Sequence, residues 1–320
     1  MGEILAADIG GTNSRFAHFR LREGRLSLEG KKWLETGRAD SLGGLFAMLR
    51  ESGFSLLPER ADVTVLAVAG PVERGVSSSP PFIPWGIDLS SARQDYGLTR
   101  HVLINDFVAQ AYACRSPVGE EARPILPGTP EPESAVAVIG AGTGLGMAAL
   151  LPDGRGGFAA MPSEGGHGSF PFVSPEECTY MKFLLGELED QYMTGNVVVS
   201  GRGLSLVHKY LTGQDLHPDE VSARFHECPD TLLWMSRFYG RACRDFALAT
   251  LARGGVFVAG GVAARVPGIL THGAFESEFR SSPRHALLLR EIPVYLITDE
   301  DSGLWGAAYR GKLELEGARR

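Results

Sequence analysis

Cysteine is scarce in this 320-residue chain: Cys114, Cys178, Cys228 and Cys243 are widely scattered and form no CxxC pair. Such spacing offers neither the framework that staples small secreted domains nor the paired ligands of a structural zinc site, so four reduced, mostly apolar thiols are expected. Long apolar runs are missing as well. No stretch approaches the ~20 residues of a membrane-spanning helix, and Ile4 to Ala7 opens an apolar strand with no basic region or small-residue cleavage site before it. A cytoplasmic protein without membrane contact is the expectation. Positive charge is not in excess either: 31 Lys and Arg stand against 38 Asp and Glu, a formal net charge of -7. That balance gives no long-range attraction to nucleic acid or anionic lipid, and no nucleic-acid partner is expected. Linkers and low-complexity tracts are absent.

What is present reads as an ordinary globular chain, 44% hydrophobic and 22% charged, with enough apolar residues for a large core. At roughly 100–200 residues per domain the length suits two lobes, and two lobes permit a cleft. The first segment runs from an apolar stretch (ILAAD) through a glycine turn (IGGTNSR) to a second apolar stretch (FAHFRL). A turn at Arg22 to Arg25 leads to a third strand, and Ser41 to Glu51 carries apolar residues at helical spacing. The pattern returns at AVAVIG (Ala135 to Gly140), AGTGLG, MAALL, PDGRGG and Phe158 to Ala160, so that Gly11-Thr12 and Gly142-Thr143 fall at corresponding places. A two-copy repeat of a meander predicts two related lobes and no solenoid.

Continuous apolar runs at Val63 to Gly70, His101 to Asn105, Gly255 to Gly260 and Val294 to Thr298 have the composition of strands covered on both faces. Helical stretches at Pro175 to Tyr192 and Thr231 to Ala252 lie among them, which makes the fold α/β. Ser302 to Leu313 is expected to be a helix that returns to the N-terminal lobe. The predicted division is therefore a small α/β lobe of residues 1–106 with 300–320, and a large α/β lobe of residues 107–299.

Three glycine loops end buried-strand candidates: Gly10-Gly11-Thr12-Asn13, Gly140 to Gly146 with Gly142-Thr143-Gly144 at its centre, and Gly260-Gly261. Glycine lets backbone N–H groups approach a phosphate, and Thr12 and Thr143 add hydroxyl donors. Each loop by itself reads equally as a hairpin turn. The first is followed by a strand and lacks GK[ST], which argues against both a Rossmann fingerprint and a Walker A loop. Asp8, directly before the glycines, suits Mg²⁺ held through water beside phosphates, since that ion needs only one or two carboxylates. It also suits a side chain that stabilises the turn.

Asn105-Asp106 closes an apolar strand and precedes a helix, at the strand end where ligands bind in open α/β sheets. Asn105 can donate and accept, while Asp106 can accept a proton from a polyol hydroxyl. Taken alone, Asp106 reads more readily as the N-cap of the following helix. Glu164 and His167, separated by two glycines, can bind vicinal hydroxyls or can be ordinary loop residues. No GxSxG elbow or cysteine signature accompanies His167.

Taken in order, DIGGTNSR, LINDF, GAGTGLG, PSEGGH and VFVAGGV resemble the bacterial glucokinases of the hexokinase, Hsp70 and actin ATPase superfamily, over nearly the whole chain. The resemblance implies a two-lobed actin-like ATPase (ribonuclease H-like) fold with duplicated βββαβαβα-type lobes and an interlobe cleft. It implies ATP as donor, with Asp8 to Asn13 and Gly140 to Gly146 as phosphate motifs and Gly260-Gly261 in an adenosine motif. It implies Asp106 as catalytic base, with Asn105, Glu164 and His167 on the sugar hydroxyls, and it implies a homodimer. Two features depart from the family. Asn196, in GNVVVSG, stands where the family carries a second sugar-binding glutamate, a place from which its amide is expected to bond a sugar hydroxyl without the carboxylate's charge, and the loop Gly75 to Trp85 is proline-rich. The expected reaction is transfer from ATP to a hexose, most simply glucose; another hexose, or a non-catalytic ATP switch of actin or Hsp70 type, is the alternative. A nicotinamide oxidoreductase would need NAD binding, and the ROK branch would need a cysteine-rich zinc motif.

Overall fold

The computed structural model describes residues 2–317. The chain folds as two compact units, one running to Glu121 and resuming at Asp299, the other Ala122–Thr298.

The first unit is built on a five-stranded sheet. Its strands are β1 (Gly2–Ile9), β2 (Asn13–Arg22), β3 (Arg25–Glu35), β4 (Val63–Val68) and, after the small ribbon β5 (Ser77–Ser78) and β6 (Ile87–Asp88), β7 (His101–Asn105). Their order is β3-β2-β1-β4-β7: the meander is antiparallel, and β1, β4 and β7 run parallel. Sequence pattern and position agree. Every residue of β4 (VTVLAV) is buried, as a central strand covered on both faces requires, whereas β3 alternates partly buried and exposed residues and keeps Lys31 and Lys32 on a sheet edge. One face packs Leu5, Ala7, Ile9 and Phe16 against Leu42, Leu45, Phe46 and Leu49 of the helix Leu42–Glu51. Each fully buried Leu, Ile or Phe among them contributes about 1.5–3 kcal/mol.

Helices Asp106–Ala113 and Ser302–Gly317 pack on each other, so closely that a Cβ on Gly306 would stand 1.7 Å from the Ala109 carbonyl oxygen. Only glycine allows that approach. Tyr112 stacks on Tyr309 beside it, with ring centroids 6.3 Å apart. This packing keeps the helix after Asp106 in the first unit, so the chain divides after Glu121 where the sequence suggested residue 106. The expected return of the last helix is observed.

The second unit repeats the plan. Strands β9 (Val136–Ala141), β10 (Leu145–Pro152), β11 (Phe158–Ser163), β12 (Val256–Ala259) and β13 (Val294–Leu296) take the order β11-β10-β9-β12-β13. Again the meander is antiparallel and the next two strands are parallel to its first strand. One strand has no counterpart: β8 (Arg123–Leu126) adds antiparallel to β13 at the edge. The helix Pro229–Thr250 lays Phe238, Tyr239, Cys243 and Ala247 into a core shared with Val198, Val207 and the sheet. Pro175–Leu188 is a helix, four residues shorter than the apolar pattern suggested. Among the described residues no helix is long and apolar enough to cross a membrane.

Candidate active site

In the first unit the register brings the strand ends into one row, with Ile9 paired to Val68 and Val68 to Asn105. Asp8, the first glycine loop and Asn105-Asp106 therefore share the carboxyl edge of the parallel strands, where α/β sheets bind ligands. The loop is held from below: Gly10 N–H donates to the Asn13 carbonyl at 3.1 Å, and the Thr36 hydroxyl donates to the Gly10 carbonyl at 2.7 Å. Thr12 and Asn13 are exposed. Arg15 clamps the other end, donating to Asp8 Oδ2 at 2.6 Å and to the Glu300 carbonyl at 2.6 Å while its guanidinium lies 5.4 Å from the Trp33 ring. Burial pushes the Asp8 carboxyl above its ordinary range, against the pull of Arg15.

The helix cap falls on Asn105. Its backbone is extended, and its Oδ1 accepts from Phe107 N–H at 2.8 Å and Val108 N–H at 3.2 Å, while Nδ2 donates to the Gly70 carbonyl at 3.0 Å. Asp106 is the first helical residue, half-buried, and its Oδ1 accepts from Phe107 N–H at 2.9 Å. The cap reading of Asp106 is thus corrected by one position. The proline-rich loop lies on the same edge, since a Cβ on Gly11 would stand 2.7 Å from Phe82 Cβ.

In the second unit the glycine loop is tighter than the motif suggested. Gly140 and Gly146 pair with each other within β9 and β10, leaving Gly142 to Gly144 as the turn, closed by Gly142 N–H on the Gly144 carbonyl at 2.8 Å. Thr143 is exposed, as Thr12 is at the matching place. A pocket of about 280 Å³ joins Gly142 and Thr143 to Gly201, Pro218, Val262 and Arg265. Gly260-Gly261 follow β12 and open the helix Gly261–Arg265.

Glu164, Gly165, Gly166 and His167 form a short turn after β11. His167 Nε2 is 3.7 Å from Glu164 Oε2, and both side chains are largely exposed. The structure ties this turn to the glycine loop through Asn196. Its Oδ1 accepts from Leu145 N–H at 2.7 Å, and its Nδ2 lies 2.9 Å from His167 Nε2. A Cβ on Gly166 would sit 2.0 Å from the Leu145 carbonyl oxygen, so only glycine lets the two loops touch. Sequence reasoning missed Tyr239, whose phenol oxygen accepts the Ala141 N–H at 3.0 Å at the end of β9.

A sheet of this order built twice, with a glycine hairpin between the first two strands of each copy, is the actin-like ATPase fold; the chain is a phosphotransferase with an alcohol acceptor. A family model described as Glucokinase matches residues 5–313. A glucokinase of Chromobacterium violaceum is 32% identical over 320 residues, covering 95% of this chain and 88% of its own. The crystal structure of a glucokinase from an Antarctic psychrotroph superposes with a TM-score of 0.83 at 28% identity, over 97% of this chain and 98% of that one. A ROK family glucokinase from Streptomyces griseus, crystallised with glucose and AMPPNP, shares the fold at a TM-score of 0.60 and 21% identity, over 96% and 98% of the two chains. The chain belongs to the glucokinase family.

Proposed function

We propose that the protein transfers the γ-phosphoryl group of ATP to the C6 hydroxyl of glucose, with Asp106 as general base. The observation that carries this reading is position: the strand register sets Asp106, the first residue of its helix, at the same carboxyl edge as Asp8 and the first glycine loop. Asp106 takes the proton as the hydroxyl attacks phosphorus in line. Asn105 is already bonded through Oδ1 and through one Nδ2 hydrogen, so its second Nδ2 hydrogen is the one it offers the sugar. Glu164 and His167 take further hydroxyls, and Asn196 sets their loop.

Nucleotide binding is assigned to Asp8 with Gly10, Gly11, Thr12 and Asn13, to Gly142, Thr143 and Gly144, and to Gly260 and Gly261. Backbone N–H groups and the two exposed threonines would hold phosphate oxygens. The pocket beside Thr143 and Val262 suits the adenosine portion. Asp8 would hold Mg²⁺ through water, being one carboxylate beside a phosphate loop and fixed in place by Arg15. That ion, when bound, neutralises phosphate charge. We also read the enzyme as a cytoplasmic homodimer, in line with the family resemblance.

A coupled assay tests the base. Sugar-dependent ADP release, matched by sugar phosphate, should fall by about 10²–10⁴ in folded Asp106→Asn. Near wild-type turnover would rule the assignment out. Because an amide stands at position 196, kcat/KM should be compared for glucose, mannose, fructose and N-acetylglucosamine, the ratio that measures discrimination.

A further inference from the structure

Asn196 bonds two loops through a single amide, and the chemistry of those bonds fixes the state of His167. A backbone N–H can only donate, so the atom of Asn196 that meets Leu145 N at 2.7 Å is the oxygen. That choice turns Nδ2 toward His167 Nε2, 2.9 Å away. An amide nitrogen donates and does not accept, so the imidazole Nε2 must be the acceptor and the proton of neutral His167 resides on Nδ1. Glu164 Oε2, at 3.7 Å from Nε2, is too far to compete for a proton there.

We infer that Asn196 is a positioning and specificity residue that holds His167 as its Nδ1–H tautomer, a fixed hydrogen-bond donor toward the substrate, and in the same amide anchors Leu145 at the end of the glycine loop. The inference rests on the reading that His167 meets the sugar. Its consequence is selective: the substrate group facing His167 must accept, as a hydroxyl or an acetamido oxygen does and an ammonium does not. A carboxylate at position 196 would reverse the arrangement. It could still accept from Leu145 N–H, yet it would require a proton on Nε2 and would leave Nδ1 as an acceptor.

The test compares the wild-type enzyme with Asn196→Asp, which keeps the side-chain length. Full-length protein labelled with ¹⁵N-histidine, held at about pH 8 so that ordinary imidazoles are neutral, reports each tautomer by two-bond ¹H–¹⁵N correlations. His167 is assigned by the signals lost in His167→Gln. The expected result is Nδ1–H in the wild type and Nε2–H in Asn196→Asp, with the glucose KM raised about fivefold to tenfold, the equivalent of one neutral hydrogen bond. The KM for ATP should move less than about twofold on the same scale, because Leu145 keeps its acceptor. Nε2–H in the wild type overturns the inference without any variant, and so does an unchanged glucose KM in a variant whose tautomer has switched. If His167→Gln keeps wild-type kcat/KM for glucose, the sugar contact fails and the specificity role with it, whereas the tautomer result separately decides the geometry.

Discussion

The phenol oxygen of Tyr239 accepts the backbone N–H of Ala141 at 3.0 Å, within the core and one residue before the glycine loop of the second unit. Tyr239 is completely buried, and burial pushes its phenol far above the usual range, so it stays neutral throughout the working pH. Tyr239→Phe keeps the ring and strands the N–H. Leaving a buried donor unsatisfied costs about 1–3 kcal/mol. Chemical denaturation should show that loss, and the ATP KM should rise because Ala141 leads directly into Gly142. An unchanged midpoint would mean that Ala141 N–H finds another acceptor.

Gly166→Ala should be damaging, because Gly166 is buried within its turn. The added methyl would sit 2.0 Å from the Leu145 carbonyl oxygen and 2.7 Å from Asn196 Oδ1, and the first of these is backbone. Overpacking of this kind costs about 1–3 kcal/mol. Movement of Leu145 would break its bond to Asn196, so the glucose kcat/KM should fall more than the melting temperature alone explains. Full activity in Gly166→Ala would show that the two loops need not touch.

Much of this was legible in the chain. Both meanders, the buried parallel strands and the correspondence of Gly11-Thr12 with Gly142-Thr143 follow from apolar runs broken by glycine turns, which are local signals. The roles of Asn196 and Tyr239 were not legible, because their partners lie 51 and 98 residues away and no local pattern encodes the pairing. Asn105 and Asp106 were ambiguous for a different reason. Both residue types cap helices well, and only the backbone angles decide which one is outside the helix. The edge strand Arg123–Leu126 is short and carries Pro124, which removes the usual strand signature. The boundary after Glu121 depends on Ala109 meeting Gly306, again a contact between distant segments.

Two variants at Asn105 separate its structural task from its chemical one. Asn105→Ala removes the acceptor of Val108 N–H and one of the two acceptors of Phe107 N–H, and should cost about 1 kcal/mol of stability. Asn105→Asp retains that cap, but it sets a carboxylate oxygen against the Gly70 carbonyl where Nδ2 now donates. Both should raise the glucose KM, and only the alanine variant should lose the cap energy. An unchanged melting temperature in Asn105→Ala would argue against Asn105 as the cap.

Acid sensitivity should be traceable to Glu177. This carboxylate is wholly buried and receives a bidentate pair from Arg241 at 2.6 and 3.0 Å, a contact from Arg237 at 3.0 Å and the Val173 N–H at 2.9 Å. Arg241 in turn bonds Glu278 at 2.9 Å and the Pro171 carbonyl at 2.8 Å. Burial by itself would push the Glu177 carboxyl up; the Arg241 hydrogen bonds, the Val173 N–H and the charges of Arg241 and Arg237 outweigh it and hold it below the ordinary 4.5. A depressed folded value stabilises the fold fully above the ordinary value, and that contribution is lost as pH falls through the depressed one. Glu177→Gln keeps the shape and removes the charge. Breaking one side of a buried pair costs about 3–5 kcal/mol, so the variant should melt well below the wild type at neutral pH. Below pH 4.5 the gap should narrow, since the wild type then approaches the neutral side chain that the variant carries at every pH. Thermal midpoints of both proteins across this range decide it: a gap of constant size would mean that shape, and not the ionised carboxylate, is what Arg241 requires.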